Sequence, residues 1–135
     1  MIKTSYKWHA TFIMPSFYER KKMPCINAKV SVSLDAEKMD ALKTDFGKAI
    51  SIMGKPETYL MVCLEENAAI YFGGKKLERG AFVEVSALGQ IDSAQARKMS
   101  AEICDILKRC LDIPGECVYI TYQGYKDWGW NGGNF

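Results

Sequence analysis

Histidine is nearly absent: His9 is the only one in 135 residues. A Ser-His-Asp or Cys-His catalytic pair is therefore excluded from the body of the chain, and so is a histidine-based metal site. The five cysteines, Cys25, Cys63, Cys104, Cys110 and Cys117, include no C-x-x-C pair. An odd count without that spacing argues against a disulfide framework or a zinc site, and for buried, reduced thiols in an intracellular protein. No metal and no cofactor are expected. No apolar run approaches the ~18–20 residues of a membrane span, so no membrane partner is expected. The net charge of only +2 is too small to argue for nucleic acid. Nor is the chain disordered or fibrous: with 48% apolar and 25% charged residues it has the proportions of one globular domain.

Residues 1–22, MIKTSYKWHATFIMPSFYERKK, stand apart. They hold five basic residues against Glu19 alone, whereas the remainder holds 13 basic and 15 acidic residues. The apolar piece is short, contains His9, and is broken by Pro15 instead of ending in a small-residue cleavage site, so it lacks the form of a signal peptide. A transit segment, a basic arm or a mobile tail would fit. The favoured expectation is an upstream extension foreign to the native protein. Glu19-Arg20-Lys21-Lys22 can be written in purine-only codons, like a translated ribosome-binding site, and Met23 follows directly. Initiation at Met23 places Pro24 second. Methionine before proline is normally trimmed, which leaves a free prolyl amine. With no export signal, a cytoplasmic location is expected, and action outside the cell would need non-classical secretion.

The body, 23–135, reads as one domain. Residues 25–33 are rich in β-branched side chains and predict a strand. Asp35 is a helix N-cap candidate, and Met39, Leu42, Phe46, Ala49, Ile50 and Met53 recur at helical spacing. Gly54 and Pro56 end that helix. Residues 59–65 predict a second strand and 68–72 a short one closed by Gly73-Gly74. The pattern then repeats. Residues 81–88 predict a strand, and Asp92 or Ser93 caps a helix with Ala96, Met99, Ile103, Ile106, Leu107, Cys110 and Leu111 on one face. Pro114 and Gly115 follow it, and residues 117–122 predict a last strand. Asp35 and Ser93 are 58 apart, as are Pro56 and Pro114. The fold class is therefore α/β: tandem β-α-β repeats giving a four-stranded sheet with two helices on one face. The strands look apolar on both faces, so the open face should be covered by an oligomer. In the tail, Trp128, Trp130 and Phe135 stand among glycines, suited to clasping a neighbour or to rimming a pocket.

A free prolyl amine has a definite chemistry. An α-amino group titrates near ~8, and burial or a nearby cation lowers that value. The neutral secondary amine is then a base at cell pH, suited to abstracting a proton next to a carbonyl. Alone, Met-Pro equally fits an ordinary proline at a strand edge.

Pro24 opening a strand, Gly54-Lys55-Pro56-x-x-Tyr59, Phe72-Gly73-Gly74, Leu88-Gly89, Val118-Tyr119-Ile120 and Gly129-Trp130-Asn131-Gly132 occur in the order and spacing of the macrophage migration inhibitory factor family. The chain resembles that family, of the tautomerase superfamily, over residues 24–135. The resemblance implies a trimeric barrel with the helices outside and three sites at subunit interfaces. It implies keto–enol tautomerisation of phenylpyruvate-like acids or isomerisation of dopachrome-type compounds. By the same resemblance Pro24 is the base, Lys55 binds the substrate's acid group, and the Leu88 backbone N–H is a second donor. Tyr59, Tyr119, Trp130 and Phe135 wall the pocket, Tyr119 coming from the adjacent subunit. Lys55 also suits a helix C-terminus on electrostatic grounds alone.

Three positions depart from the family. Thr121 replaces the usual asparagine two residues after the pocket tyrosine and bears on substrate preference. Ala87 replaces a serine before the backbone donor. The C-x-x-C of the animal cytokines falls at 81–84 and is missing, so thiol–disulfide oxidoreductase activity is not expected. The implied partners are a small aromatic keto acid or enol and two further copies of the chain. The alternative is a cytokine-like interaction protein of the same fold, meeting a host or cell-surface receptor if released.

Overall fold

The computed structural model describes residues 23–135; the expectations for residues 1–22, including His9, lie outside these. Strand β1 (Pro24–Val30) leads into helix α1 (Ala36–Ala49) and then β2 (Met61–Glu65). A small hairpin, β3 (Tyr71–Phe72) and β4 (Lys75–Lys76), precedes the second unit: β5 (Ala81–Leu88), α2 (Ser93–Leu111) and β6 (Val118–Tyr125). A terminal hairpin, β7 (Gly129–Trp130) and β8 (Gly133–Asn134), ends the chain. The sheet order is β2-β1-β5-β6. Within each unit the strands are parallel, and β1 and β5 join the two units antiparallel. The expected pair of β-α-β units is thus present.

The two units share their punctuation. Asp35 and Asp92 each accept the N–H three residues on, from Lys38 and Gln95, satisfying an orphan donor of the first helical turn. Pro56 and Pro114 each open a short 3-10 turn before the returning strand. Asp92, rather than Ser93, is the cap, so the caps are 57 apart while the prolines remain 58 apart. The first helical segment ends at Gly54 in the left-handed region (φ 71°), as expected. The second ends at Asp112 (φ 56°), a position the sequence pattern did not single out. Four strand boundaries also differ from expectation, the last strand running Val118–Tyr125 and not 117–122. β1 stops at Val30 because Ser31 turns to the loop before β5, its hydroxyl donating to the Glu78 carbonyl (3.0 Å) and accepting from the Gly80 N–H (2.8 Å). Tyr59 lies in the turn before β2, not in the strand. Residues 68–70 stay outside the sheet, and only Tyr71–Phe72 pairs, with a return strand across Gly73-Gly74.

Both helices cover one face. Ile26, Ala28 and Val30 of β1 and Val83 and Val85 of β5 are buried against Leu42, Phe46, Met99, Ile103, Ile106 and Leu107. An Arg109–Asp45 ion pair (3.0 Å) ties α2 to α1 at the surface.

The open face corrects one expectation. It is not apolar. Register and alternation place Asn27, Lys29, Cys63, Glu65, Glu84, Ser86, Thr121 and Gln123 on it, beside Cys25, Met61, Phe82, Leu88, Tyr119 and Tyr125, so the middle of this face is polar and its ends are mixed. The large exposed apolar residues stand at the margins: Met61 (64% exposed) on edge strand β2, Tyr119 (63%) and Tyr125 (46%) on edge strand β6, and Tyr71 (64%) and Phe72 (45%) on the small hairpin. The physical case for an oligomer therefore rests on unpaired edges and apolar margins, not on a dry sheet-to-sheet interface. The thiols differ from expectation too. All five are free, but none is fully buried, and Cys63 is exposed.

Candidate active site

Antiparallel pairing of β1 with β5 brings the start of one beside the end of the other. Pro24, buried, is opposite Ala87. One residue further out, the Leu88 N–H donates to the carbonyl of Met23 at 3.0 Å. Met23 is itself buried, 3% exposed. An sp² oxygen attached to the carbon that acylates the Pro24 nitrogen is thus held by the Leu88 amide. While Met23 is in place that nitrogen is a tertiary amide with no basic lone pair.

The close of β5 depends on two glycines. Gly89 has φ +95°, and its N–H donates to the Tyr125 carbonyl at 2.8 Å. Gly124 lies so close that a Cβ there would run into the Gly89 carbonyl oxygen. These contacts fix where Leu88 points.

The tail supplies the rim. Met61 is in register with Cys25, so the loop entering β2 lies at the Pro24 end of the sheet. That loop carries Lys55 and Tyr59. The tail leaves β6 at Tyr125, on the opposite edge, and Trp130 meets Tyr59 edge-on with ring centroids 6.0 Å apart. Crossing three strand spacings, about 14 Å, is within the ~17 Å reach of five extended residues. The tail therefore passes over the ends of β5 and β1, where Leu88 and Pro24 sit. Asn131 (φ 52°) and Gly132 (φ 81°) form the two-residue turn of its hairpin, and Phe135 packs on Trp130 at 6.1 Å. The Asn-Gly pair is the sequence signal for this hairpin. Of the two roles considered for the tail, the rim is the one its own chain's contacts support.

Lys55 follows the left-handed Gly54 and precedes Pro56. Burial pulls its ammonium below the usual lysine range. Tyr119 and Thr121 are not at this end. The residue of β6 level with Pro24 is Gly124, through Ala87. Tyr119 is five residues away, about 16 Å, and packs edge-on against Phe72 at 5.4 Å. Thr121 faces Glu84 mid-sheet. One chain thus gathers Pro24, the Leu88 amide, Lys55's loop, Tyr59, Trp130 and Phe135, and leaves Thr121 mid-sheet and Tyr119 at the far end.

The family model for macrophage migration inhibitory factor (MIF) matches residues 22–135. The chain belongs to the MIF family. The MIF homolog of Trichuris trichiura is 30% identical over 115 residues, 84% of this chain and 100% of the relative. The MIF of Xenopus laevis is 29% identical over 116 residues, 84% of this chain and 99% of that one. Among solved structures, MIF2 of Leishmania major superposes with a TM-score of 0.78 at 32% identity, covering 84% of this chain and 97% of that chain. The MIF homologue of Prochlorococcus marinus gives 0.74 at 31% identity, covering 82% and 98%. The four-stranded sheet with two helices is thus the fold of the MIF family.

Within this MIF-family chain the arrangement offers a carbonyl-binding N–H beside a proline nitrogen, a partly desolvated cation on the neighbouring loop, and a roof of three rings. The Met23 carbonyl is the functional group that sequence reasoning missed. Nothing in a side-chain pattern reports where a backbone oxygen will sit. No helix among the described residues is long and apolar enough to cross a membrane.

Proposed function

We propose that the protein is a keto–enol tautomerase, of the phenylpyruvate tautomerase or dopachrome isomerase type, that works once Met23 has been removed. Pro24 is then a secondary amine and acts as general base. It takes a proton from the carbon next to the substrate carbonyl and returns it elsewhere on the enol. Lys55 and the Leu88 N–H hold the acid group or the developing oxyanion. Tyr59, Trp130 and Phe135 enclose a flat apolar substrate. Assembly is as a homotrimeric barrel, in which Tyr119 and Thr121 of an adjacent subunit complete each site. Exposed Tyr119, Tyr71 and Phe72 at the sheet margin, with two unpaired edge strands, support that assembly.

The observation that carries this assignment is the 3.0 Å bond from the Leu88 N–H to the Met23 carbonyl. Once Met23 is gone the donor has lost its acceptor, and it stands beside the nitrogen that has just become basic. A substrate oxygen taking the vacated place has its reacting carbon next to Pro24. The test couples an intact mass with phenylpyruvate turnover on one sample. Turnover by a chain whose mass begins at Pro24, absent from the same chain retaining Met23, supports the assignment. Equal turnover by both removes the proline amine from the mechanism.

A further inference from the structure

The open sheet face carries a second cluster, independent of the proline chemistry. Cys25 faces away from the helices, on the side of β1 opposite Ile26, and Met61 is its register partner on β2. Cys63 follows two residues after Met61 and therefore points to the same face. Val62 and Leu64, between and beyond, pack against the core instead. Three sulfur-bearing side chains thus share one face of adjacent strands: a thioether in register with one thiol, and a second thiol one diagonal step away. Ser86 flanks Cys25 from the other side, on β5, and Glu84 lies one pair further along.

We infer that Cys25, Met61 and Cys63 form a binding site for a soft monovalent metal ion, copper(I) by class. Thiolate and thioether ligands select that ion over harder divalent ones. Structural zinc asks for four nitrogen, oxygen or sulfur ligands in a closed tetrahedron, and the described residues group no three His, Cys, Asp or Glu side chains that could hold a metal. Copper(I) accepts two or three sulfurs. The alternative use of two neighbouring thiols, a disulfide, fits the strand geometry less well. Diagonal neighbours on parallel strands have Cα atoms about 8 Å apart, whereas a disulfide spans ~4.4–6.8 Å. A metal ion between the sulfurs fills that extra distance.

Binding displaces a proton from each thiol and changes no oxidation state. Cys63 is exposed, so the ion has a path of entry from the open face. In the proposed barrel this polar face lines the wet interior, which leaves the path open to a small ion.

The test is an anaerobic titration of the fully reduced protein with copper(I) against the chromophoric chelator bicinchoninate. One equivalent per chain should be withheld from the chelator, with only sulfur neighbours in its X-ray absorption spectrum. Cys25→Ser and Cys63→Ser should each weaken retention at least about 100-fold, and Met61→Leu about tenfold. Met61→Leu keeps the apolar bulk of the side chain and so reads the site even if a serine variant folds poorly. Joint replacement of Cys104, Cys110 and Cys117 by serine should leave the equivalent bound. Retention that survives loss of Cys63, disappears with the other three cysteines, or yields equally to zinc overturns the proposal.

Discussion

Retaining Met23 should remove two catalytic contributions at once, and they can be separated. A tertiary amide at Pro24 abolishes the general base, a contribution of about 10²–10⁴-fold. The Met23 carbonyl also occupies the Leu88 N–H at 3.0 Å, and loss of one such donor costs about 10²–10³-fold. The two act on the same reacting centre and will not multiply fully. A loss of about 10³–10⁴-fold in kcat/KM, short of the full product, is expected. Three chains resolve the parts: one beginning at Pro24, one with Pro24→Gly as its first residue, and one retaining Met23. Pro24→Gly keeps a free amine and leaves the Leu88 donor open, so it should fall between the other two. The assay is phenylpyruvate ketonisation at matched protein concentration, with intact masses recorded for each preparation. Should the Met23-retaining chain equal Pro24→Gly, the Leu88 donor contributes nothing. Should it equal the chain beginning at Pro24, the whole mechanism fails.

Other perturbations probe the surroundings. Lys55→Ala should raise KM for a keto acid and move the acid limb of the pH–rate profile upward, because a cation no longer opposes protonation of the proline; an unmoved profile would make Lys55 structural. In the unaltered protein KM should climb as pH rises through the Lys55 pKa. Burial lowers that pKa, so the climb begins below the ~10.4 of an ordinary lysine. Gly124→Ala places a Cβ against the Gly89 carbonyl. It should cost about 1–3 kcal/mol, seen as a lower Tm together with reduced turnover as Leu88 shifts; an unchanged Tm would mean the strand ends are not held as described. Trp130→Ala removes the ring that touches both Tyr59 and Phe135 and should raise KM more than it lowers kcat.

The repeat was legible in the sequence because its punctuation is chemical. Asp35 and Asp92 have to satisfy helix N-termini, and Pro56 and Pro114 have to stop what precedes them. The helix faces followed from spacing, and Leu42, Phe46, Met99, Ile103 and Leu107 are indeed fully buried. The open face was misread because β2 and β6 alternate large apolar residues with small or polar ones, and Met61 and Tyr119 suggest a second dry side. Only the register shows that their neighbours across the sheet are Cys25, Ser86, Phe82 and Lys29 rather than more aliphatic residues. The site divides the same way. Side chains such as Lys55 and Tyr59 stood in a readable motif, whereas the Met23 oxygen and the tail's passage over the strand ends are products of topology.

The duplication yields one further expectation, about stability. Its offset of 57 relates Met23 to Gly80 and Leu88 to Ser31. Both pairs make the same bond: Leu88 N–H to the Met23 carbonyl at 3.0 Å, and Ser31 N–H to the Gly80 carbonyl at 3.0 Å. The contact is therefore a ladder bond of the repeated unit, present twice because β1 and β5 run antiparallel. In the proposed mature form the Met23 acceptor is absent while the Gly80 acceptor stays, so the proposed donor is one half of an ordinary structural pair. Trimming should then destabilise the protein. It gives up one hydrogen bond, about 0.5–1.5 kcal/mol, and a buried methionine side chain, about 1.5–3 kcal/mol. The chain beginning at Pro24 should unfold several degrees below the chain beginning at Met23. A bound aromatic acid that takes the Leu88 N–H should recover much of the difference, and should do nothing for the form that keeps Met23. Calorimetry of both forms, with and without such an acid, reads this directly. Equal Tm values, or equal ligand shifts in the two forms, would show that the Met23 carbonyl and the substrate do not compete for the same amide.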